Sequence, residues 1–336
     1  MSAMGRCRRF AFSKRILFMN TSLPRIAIVM PCYNEEQALP ISSAEILSLL
    51  DKMSQENLIS SDSYILCCND GSKDNTWAII QNLHSKDNRV KGISLAHNRG
   101  HQYALLAGLM TAKDNCDAAI SIDADLQDDP NAIVEMVKKF REGKEIVYGV
   151  RSSRKTDTWF KRTTAHAFYS FQNVMGLETV YDHADYRLMS RRALELLSQY
   201  GEENLFLRGI VPQIGLDTDI VKYERNVRVA GESKYPLSKM LSFSIDGITS
   251  FSARPMRWIF MIGLILLVID VFVAVYVLFA FVKNNAVSGW TSLMLSVWFL
   301  GSLILMGLGI VGEYIGKIFI EVKNRPRYAI KDYLLD

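Results

Sequence analysis

The sequence contains little that would indicate a zinc finger, a disulfide scaffold or a nucleic-acid-binding protein. Its 336 residues include five cysteines, none of them in a Cys-x-x-Cys pair or near a histidine at zinc-ligand spacing. We therefore expect the five cysteines to be reduced thiols in the cytosol. The formal net charge is only +4, which does not suggest nucleic-acid binding. No Gly-x-Gly-x-x-Gly follows the first predicted strand, which argues against a dinucleotide-dependent oxidoreductase.

Two long apolar runs stand near the C-terminus. Trp258 to Val282 contains one ionisable residue, Asp270, and Ser292 to Gly312 contains none. Each run exceeds the roughly 20 residues that a helix needs to cross a bilayer. Core helices of soluble domains rarely run this long without a polar face. The sequence therefore predicts two transmembrane helices.

Basic residues flank the two runs asymmetrically. The connection between them, residues 283–291, carries one lysine, whereas arginines precede the first run and several lysines and arginines follow the second. The positive-inside rule then puts the large N-terminal region and both termini in the cytoplasm. We divide the chain into a basic leader (1–22), a catalytic domain (23–235), an interfacial amphipathic helix (236–255), two transmembrane helices (256–316) and a cytoplasmic tail (317–336).

The N-terminal region alternates between predicted strands and helices. Three apolar strands are predicted, at Arg25–Met30, Tyr64–Cys68 and Ala118–Ile122. After each of the first two strands, apolar residues recur at the spacing of a helix. This alternation predicts an α/β fold with a mostly parallel sheet, covered on both faces. Amphipathic helices are also predicted at 161–175 and 237–248, where packing on the core and contact with the membrane surface both explain the pattern.

The run Ile120–Asp129 places two carboxylates, Asp123 and Asp125, after an apolar strand. Backbone alternation points both to the same side of an extended chain. There they can share one divalent cation with a substrate phosphate. A solvated acidic turn before the next helix is the alternative.

Nine motifs occur together in a fixed order. They are Pro31–Glu36, Asn69–Ser72, His97–Gly100, Asp123–Gln127, Gly149–Arg151, Asp185–Ser190, Gly231–Tyr235, Ile248–Ser252 and Gly312–Gly316. The first five resemble glycosyltransferase family 2. With the others, the chain from about Pro24 onward is similar to the polyprenyl-phosphate glycosyltransferases, which are related to dolichol-phosphate mannose synthases, and most of all to the bactoprenol glucosyltransferases.

The resemblance implies a nucleotide-sugar-binding α/β domain of the GT-A type and a set of site residues. The nucleotide sugar would contact Pro31, Tyr33, Glu35, Asp70, Asp123, Ala124, Asp125 and Lys234. Asp123, Asp125 and Gln127 would hold Mg²⁺ or Mn²⁺, Arg151 and Arg162 the acceptor phosphate, and Asp125, Arg151 and Asp185 would be catalytic. Three of these residues have a structural alternative, namely a local Asx-turn for Asp70, a surface charge for Arg162, and an ion pair with Arg187 for Asp185.

The reaction implied is sugar transfer from UDP-glucose to undecaprenyl phosphate on the cytoplasmic face of a bacterial inner membrane. A single displacement with inversion is expected, and it needs no general base, because the acceptor phosphate is already mostly dianionic at neutral pH. The lipid-linked sugar would need a separate flippase and a downstream glycosyltransferase that modifies a cell-surface glycan. Open alternatives are another donor (GDP-mannose, a UDP-N-acetylhexosamine or a UDP-aminoarabinose derivative), a processive polysaccharide synthase and a non-catalytic nucleotide-binding scaffold. Glycines in and beyond the second apolar run fit close helix packing, either within one chain or in a homo-oligomer.

Overall fold

The computed structural model describes residues 22–151, 183–203, 205–224, single positions between 258 and 275, and residues 289–336. Several predictions lie outside these residues. They concern the leader, the helices at 161–175 and 237–248, Arg162 and Lys234.

The described residues contain one sheet of eight strands in the order β7-β5-β6-β4-β1-β2-β3-β8. The strands are β1 (Ile26–Cys32), β2 (Tyr64–Asn69), β3 (Val90–Leu95), β4 (Ala118–Ser121), β5 (Ile146–Arg151), β6 (His183–Ser190), β7 (Thr218–Tyr223) and β8 (Ile330–Leu334). β6 and β8 run antiparallel to their neighbours, and the other pairs are parallel. The predicted mostly parallel α/β fold is confirmed.

Helices cover both faces of the sheet, as a sheet buried on two sides requires. They are α1 (Leu39–Gln55), α2 (Thr76–Lys86), α3 (His101–Ala112), α4 (Ala132–Arg141), α5 (Arg191–Leu197), α6 (Leu207–Gln213) and α7 (Trp290–Val322). One core contains residues of α1, α2 and α4, and the other contains residues of α3, α5 and α6. Cys32, Cys67, Cys68 and Cys116 are buried within this fold.

The topology selects one edge of the sheet for ligand binding. After β1 the chain continues through β2 and β3 on one side, and β4 then returns to the other side of β1. In open parallel sheets ligands bind at the carboxyl ends of the strands, at the point where the order reverses. The loops after β1, β2 and β4 meet at this edge, as do the last residues of β5 and β7.

Helix α7 is the apolar helix of the C-terminal region. Its segment Phe299–Val322 has a mean hydropathy of 1.8 and is exposed, and in the described part of the chain it is the one helix long and apolar enough to span a membrane. Its 33 residues make a rod of about 50 Å, longer than the hydrocarbon layer of about 30 Å. The first apolar run lies mostly outside the described residues, so a second span stays a prediction.

Residues after α7 return to the sheet. Residues 317–336 are predicted from the sequence as a separate tail, but α7 continues to Val322 and Ile330–Leu334 form β8, which pairs antiparallel with β3. The carbonyl oxygen of Arg327 accepts a hydrogen bond of 2.8 Å from Arg99 Nε. At the end of α7, Glu321 Oε2 accepts a bond of 2.9 Å from the backbone nitrogen of Glu203. The apolar helix is thus joined to the domain that contains the candidate site.

Candidate active site

The carboxylates Asp123 and Asp125 follow β4 directly, at the ligand-binding edge. The side chain of Asp123 is 45% exposed, whereas Asp125 is 8% exposed and its Oδ1 accepts a bond of 3.2 Å from the backbone nitrogen of Gln127. Leu126 has a φ of 48°, a left-handed conformation that is unusual for a bulky residue and that occurs in tight turns and at strained functional sites. A tight turn therefore separates Asp125 from Gln127.

The chemistry of this donor set fits a hard divalent cation. Partial burial raises the pKa of Asp123, and the carboxylates of Asp128, Asp185 and Asp125 raise it further, against the lowering effect of His101. A bound cation would relieve this accumulation of negative charge. In the described residues no group of three His, Cys, Asp or Glu side chains is arranged to hold a metal. Two carboxylates and an amide suit Mg²⁺ or Mn²⁺, which take further ligands from water and substrate phosphates.

Asp70 lies at the end of β2 and reaches another loop. Its two carboxylate oxygens accept bonds of 2.7 Å and 2.8 Å from the backbone nitrogens of Arg99 and Gly100. Burial raises its pKa, and these two N–H groups oppose the shift. The local turn is made by Asn69 instead, whose Oδ1 accepts from Ser72 N at 3.1 Å. The Asx-turn explanation of Asp70 is therefore wrong, and the carboxylate fixes the loop before α3.

The loop after β1 is bonded to the loop after β2. Asn34 Oδ1 accepts from Lys73 N at 2.9 Å, and Thr76 Oγ1 accepts from Glu35 N at 2.9 Å. A cavity of about 380 Å³ lies between these loops, lined by Asn34, Glu35, Glu36, Gln37, Ala38, Lys73 and Asp74. It flanks Tyr33, whose side chain is exposed, and it does not include the carboxylates after β4. Pro31 is buried within β1, where it pairs with Cys68.

Arg151 ends β5 and is held by a buried acid. Its Nη2 donates to Asp128 Oδ1 at 3.0 Å, and its Nε lies 3.3 Å from the same oxygen and 3.3 Å from the hydroxyl of Tyr223. Asp128 is 2% exposed and the Arg151 side chain is 23% exposed. The guanidinium is therefore oriented by Asp128 while part of it stays accessible.

Asp185, on β6, belongs to a network of ion pairs. Arg187 Nη2 bonds to its Oδ1, and its Oδ2 accepts from Arg208 Nη2 at 3.0 Å and from Gln102 Nε2 at 3.1 Å. Burial favours a raised pKa for Asp185, but Arg208 and Arg187 outweigh it and hold the pKa well below its ordinary value. The structural ion pair with Arg187 exists. A catalytic role for Asp185 stays a prediction.

His101 connects the two acidic groups. Its Nε2 lies 3.7 Å from Asp123 Oδ1 and 3.8 Å from Asp185 Oδ2. Residues that the sequence analysis did not select are therefore part of the site, namely His101, Gln102, Asp128, Arg208 and Tyr223. His101 and Asp128 adjoin selected motifs, whereas no local signal marks Arg208 or Tyr223.

Together, the fold and these residues define an α/β enzyme domain of the nucleotide-binding type, with carboxylates and guanidinium groups at the carboxyl edge of a parallel sheet. Residues 27–197 match the family described as Glycosyl transferase family 2. The chain is 52% identical over 312 residues to the "Uncharacterized glycosyltransferase YkoT" of Bacillus subtilis, covering 93% of each chain. It is 40% identical over 309 residues to the SfII prophage-derived bactoprenol glucosyl transferase of Shigella flexneri, covering 91% of this chain and 97% of that one.

The chain therefore belongs to glycosyl transferase family 2, in the group that includes the bactoprenol glucosyl transferases. It is a glycosyltransferase, and the scaffold alternative is set aside. Among solved structures, the mannosyl-3-phosphoglycerate synthase from Rubrobacter xylanophilus is similar, with 17% identity, a TM-score of 0.45, and coverage of 70% of this chain and 75% of that one. The α/β domain is the GT-A-like domain that the family membership predicts.

Proposed function

We propose that this glycosyltransferase transfers glucose from UDP-glucose to undecaprenyl phosphate at the cytoplasmic face of the membrane, with inversion at the anomeric carbon. The observation that carries the proposal is the convergence of Asp123 and Asp125 with Arg151 at one edge of the sheet, in a chain whose apolar helix α7 is joined to the same domain. The 40% identity to a bactoprenol glucosyl transferase supports the acceptor and the donor sugar.

In the proposed reaction a phosphate oxygen of the acceptor attacks the anomeric carbon. The bond from that carbon to the UDP oxygen breaks with its electron pair, and UDP leaves. Since the acceptor is mostly dianionic at neutral pH, the nucleophile needs no general base. Mg²⁺ or Mn²⁺ held by Asp123, Asp125 and Gln127 would neutralise negative charge on the diphosphate.

The protein's own groups bind and orient the substrates. Tyr33, Glu35 and Asp70 lie where the loops after β1 and β2 meet, and they would hold the nucleoside. Arg151 offers a planar fork for the acceptor phosphate, and Asp128 fixes its direction. Ala124 is 3% exposed and packs in the hydrophobic core, and its contact with the nucleotide sugar stays a proposal from the resemblance. Arg162 and Lys234 stay proposed phosphate contacts from the resemblance.

Helix α7 supports the membrane location. Its exposed apolar segment would lie in the bilayer, while its contacts near Glu203 and β8 hold the sheet beside the lipid. A substrate confined to the membrane then meets an oriented site, which lowers the entropic cost of the encounter. A multi-pass topology with cytoplasmic termini, a separate flippase and a downstream glycosyltransferase complete the proposal, and homo-oligomers are compatible with it.

The test is transfer from radiolabelled UDP- and GDP-sugars to undecaprenyl phosphate, with and without Mg²⁺ or Mn²⁺. We expect metal-dependent labelling by UDP-glucose, and a loss of about 100-fold or more in Asp125→Asn, the size typical of removing one electrostatic stabiliser. Asp114→Asn is the matched control, because that side chain is 81% exposed and precedes β4 at the opposite edge. Labelling by a different sugar would replace the donor, and an unchanged anomeric configuration in the product would refute the single displacement.

A further inference from the structure

The carboxylate of Asp185 serves two arginines. Arg187 is 2% exposed and bonds to Oδ1, and its Nη1 also donates to the carbonyl oxygen of Leu207 at 3.2 Å. Arg208 bonds to Oδ2 at 3.0 Å with a side chain that is 39% exposed. One negative charge therefore faces two permanent positive charges. Because Arg187 is buried and requires its counter-ion, Arg208 shares its carboxylate with a second guanidinium.

The guanidinium of Arg208 has unused donors. An arginine has five N–H donors, and within the described residues the one bond recorded from this side chain is the bond to Asp185. Its Nε is buried and has no hydrogen-bond partner there. A buried donor without a partner is rare and costs free energy. An acceptor brought by a substrate would supply the missing bond.

The position of Arg208 points to an anion at the active site. Burial lowers its pKa, but Asp185 and then Asp123 outweigh that effect, and Arg151 opposes them. Arg208 is thus within electrostatic reach of the first metal-site carboxylate and of the arginine at the end of β5. A phosphate bound between Arg208 and Arg151 would contact a guanidinium on each side.

We propose that Arg208 binds a phosphate oxygen of a substrate and that Asp185 is the positioning residue that aims its guanidinium. The inference rests on the proposed function and adds a phosphate contact to it. The phosphate belongs either to the donor diphosphate or to the polyprenyl phosphate acceptor. A guanidinium is suited to both, because its N–H groups match two phosphate oxygens at once.

The variants are Arg208→Gln, which removes the charge, and Arg208→Lys, which keeps the charge and the pairing with Asp185 but loses the planar fork. The matched control is Arg191→Gln. Arg191 is also paired with an aspartate, Asp117, is 47% exposed, and lies at the opposite edge of the sheet. Thermal unfolding of all variants separates folding from binding.

Two arms identify the phosphate. In the first, UDP-glucose binding is measured by calorimetry with Mn²⁺ and no lipid. In the second, KM and kcat for undecaprenyl phosphate are measured at saturating donor. We expect Arg208→Gln to weaken either donor binding or the use of the lipid acceptor by about 100-fold. Arg208→Lys should recover thermal stability but little of that binding. Arg191→Gln should match the wild type. A raised Kd assigns Arg208 to the donor, and a raised KM for lipid with unchanged Kd assigns it to the acceptor.

The inference is overturned if Arg208→Gln binds donor and uses lipid like the wild type, or if its loss of activity only follows its loss of folded protein. Failure of the proposed function is visible separately. In that case the wild type itself would label no lipid with any sugar donor.

Discussion

The hydroxyl of Tyr223 donates a hydrogen bond of 2.7 Å to Oδ1 of Asp128, although the two residues are 95 positions apart in the chain. The same oxygen accepts from Arg151 at 3.0 Å. β7 thereby fixes an acid in the loop after β4, and that acid fixes the arginine at the end of β5. The orientation of the proposed acceptor-binding arginine depends on a tyrosine that need not touch the substrate.

Tyr223→Phe should therefore lower kcat with the lipid acceptor about tenfold, equivalent to about 1.4 kcal/mol, and lower the free energy of unfolding by about 1 kcal/mol. Steady-state kinetics and urea unfolding measure the two effects. Tyr186→Phe is the matched control, because its hydroxyl donates to the Asp129 carbonyl at 3.0 Å and its ring packs edge-on against Tyr223 at 5.2 Å. Equal kcat losses in both variants would mean that packing matters and the bond to Asp128 does not.

Gly71 permits the contact between two ligand-binding loops. Its φ is +61°, and an added Cβ would lie 2.7 Å from Asn98 N and 2.8 Å from the carbonyl carbon of His97. Gly71→Ala should displace the loop that Asp70 fixes, and so raise KM for the nucleotide sugar. Gly143 has a φ of +99° with nothing within 4 Å of such a Cβ.

Gly143→Ala therefore tests backbone strain alone, about 1–2 kcal/mol. We expect Gly71→Ala to lose more stability than this control and, unlike it, to bind donor more weakly. Chemical denaturation and donor titration provide the comparison. Similar behaviour of the two variants would rule out the steric argument.

Asp185 is expected to stay ionised throughout the useful pH range. Its pKa is lower in the folded protein than the unfolded value of about 3.9. Its ion pairs therefore stabilise the fold fully above that value, and the contribution is lost as pH falls through the folded pKa. Asp185→Asn leaves Arg187 buried without its carboxylate and should cost about 3–5 kcal/mol at pH 7, measured by urea unfolding.

A fall in kcat/KM at low pH, the acid limb of the pH profile, should therefore come from protonation of the acceptor phosphate, whose second ionisation is near pH 6. The check is kcat/KM against pH with a polyprenyl thiophosphate, which ionises at lower pH than the phosphate. The limb should move to lower pH with the analogue. A limb that stays in place would assign the titration to the enzyme and reopen the question of a general base.

The C-terminal strand should stabilise the sheet. Deleting residues 326–336 removes β8 and the carbonyl acceptor of Arg99 and leaves β3 as an open edge, which invites aggregation. We expect Tm to fall by about 5 °C or more and KM for the donor to rise, since Arg99 also donates its backbone N–H to Asp70. Lys331→Ala, at a side chain that is 68% exposed, should change neither, and an unaffected deletion variant would show that β8 is dispensable.

Local pattern was enough to predict β1, β2 and β4 and the helices after the first two, because each of these strands is a short apolar run and each helix has its own spacing. β3, whose run Val90–Leu95 is interrupted by Lys91 and Gly92, was not predicted. The same pattern places Asp70 after β2 and Asp123 after β4, and parallel strands of one sheet end at the same edge. β8 was not predicted. Its partner β3 lies more than 200 residues earlier, so no local signal links the two strands. Along β8 half-buried and exposed residues alternate, which is typical of a strand at the edge of a sheet.

Arginines were the hardest residues to place. An arginine in a sequence is expected at the surface, yet Arg187 is 2% exposed. Its counter-ion, Asp185, is two residues earlier on the same strand and therefore on the same face. No sequence pattern marks Arg208, and its contact with Asp185 forms only when α6 packs against β6.

The position of β8 also constrains how the protein is made. The ribosome synthesises Ile330–Leu334 after α7, so β3 stays an unpaired edge until the residues beyond α7 have been made. In the proposed membrane location, β8 joins the sheet at a distance from the bilayer that the end of α7 sets. Completion of the sheet thus follows synthesis of α7, and a chain that stops before β8 would leave β3 as an open edge.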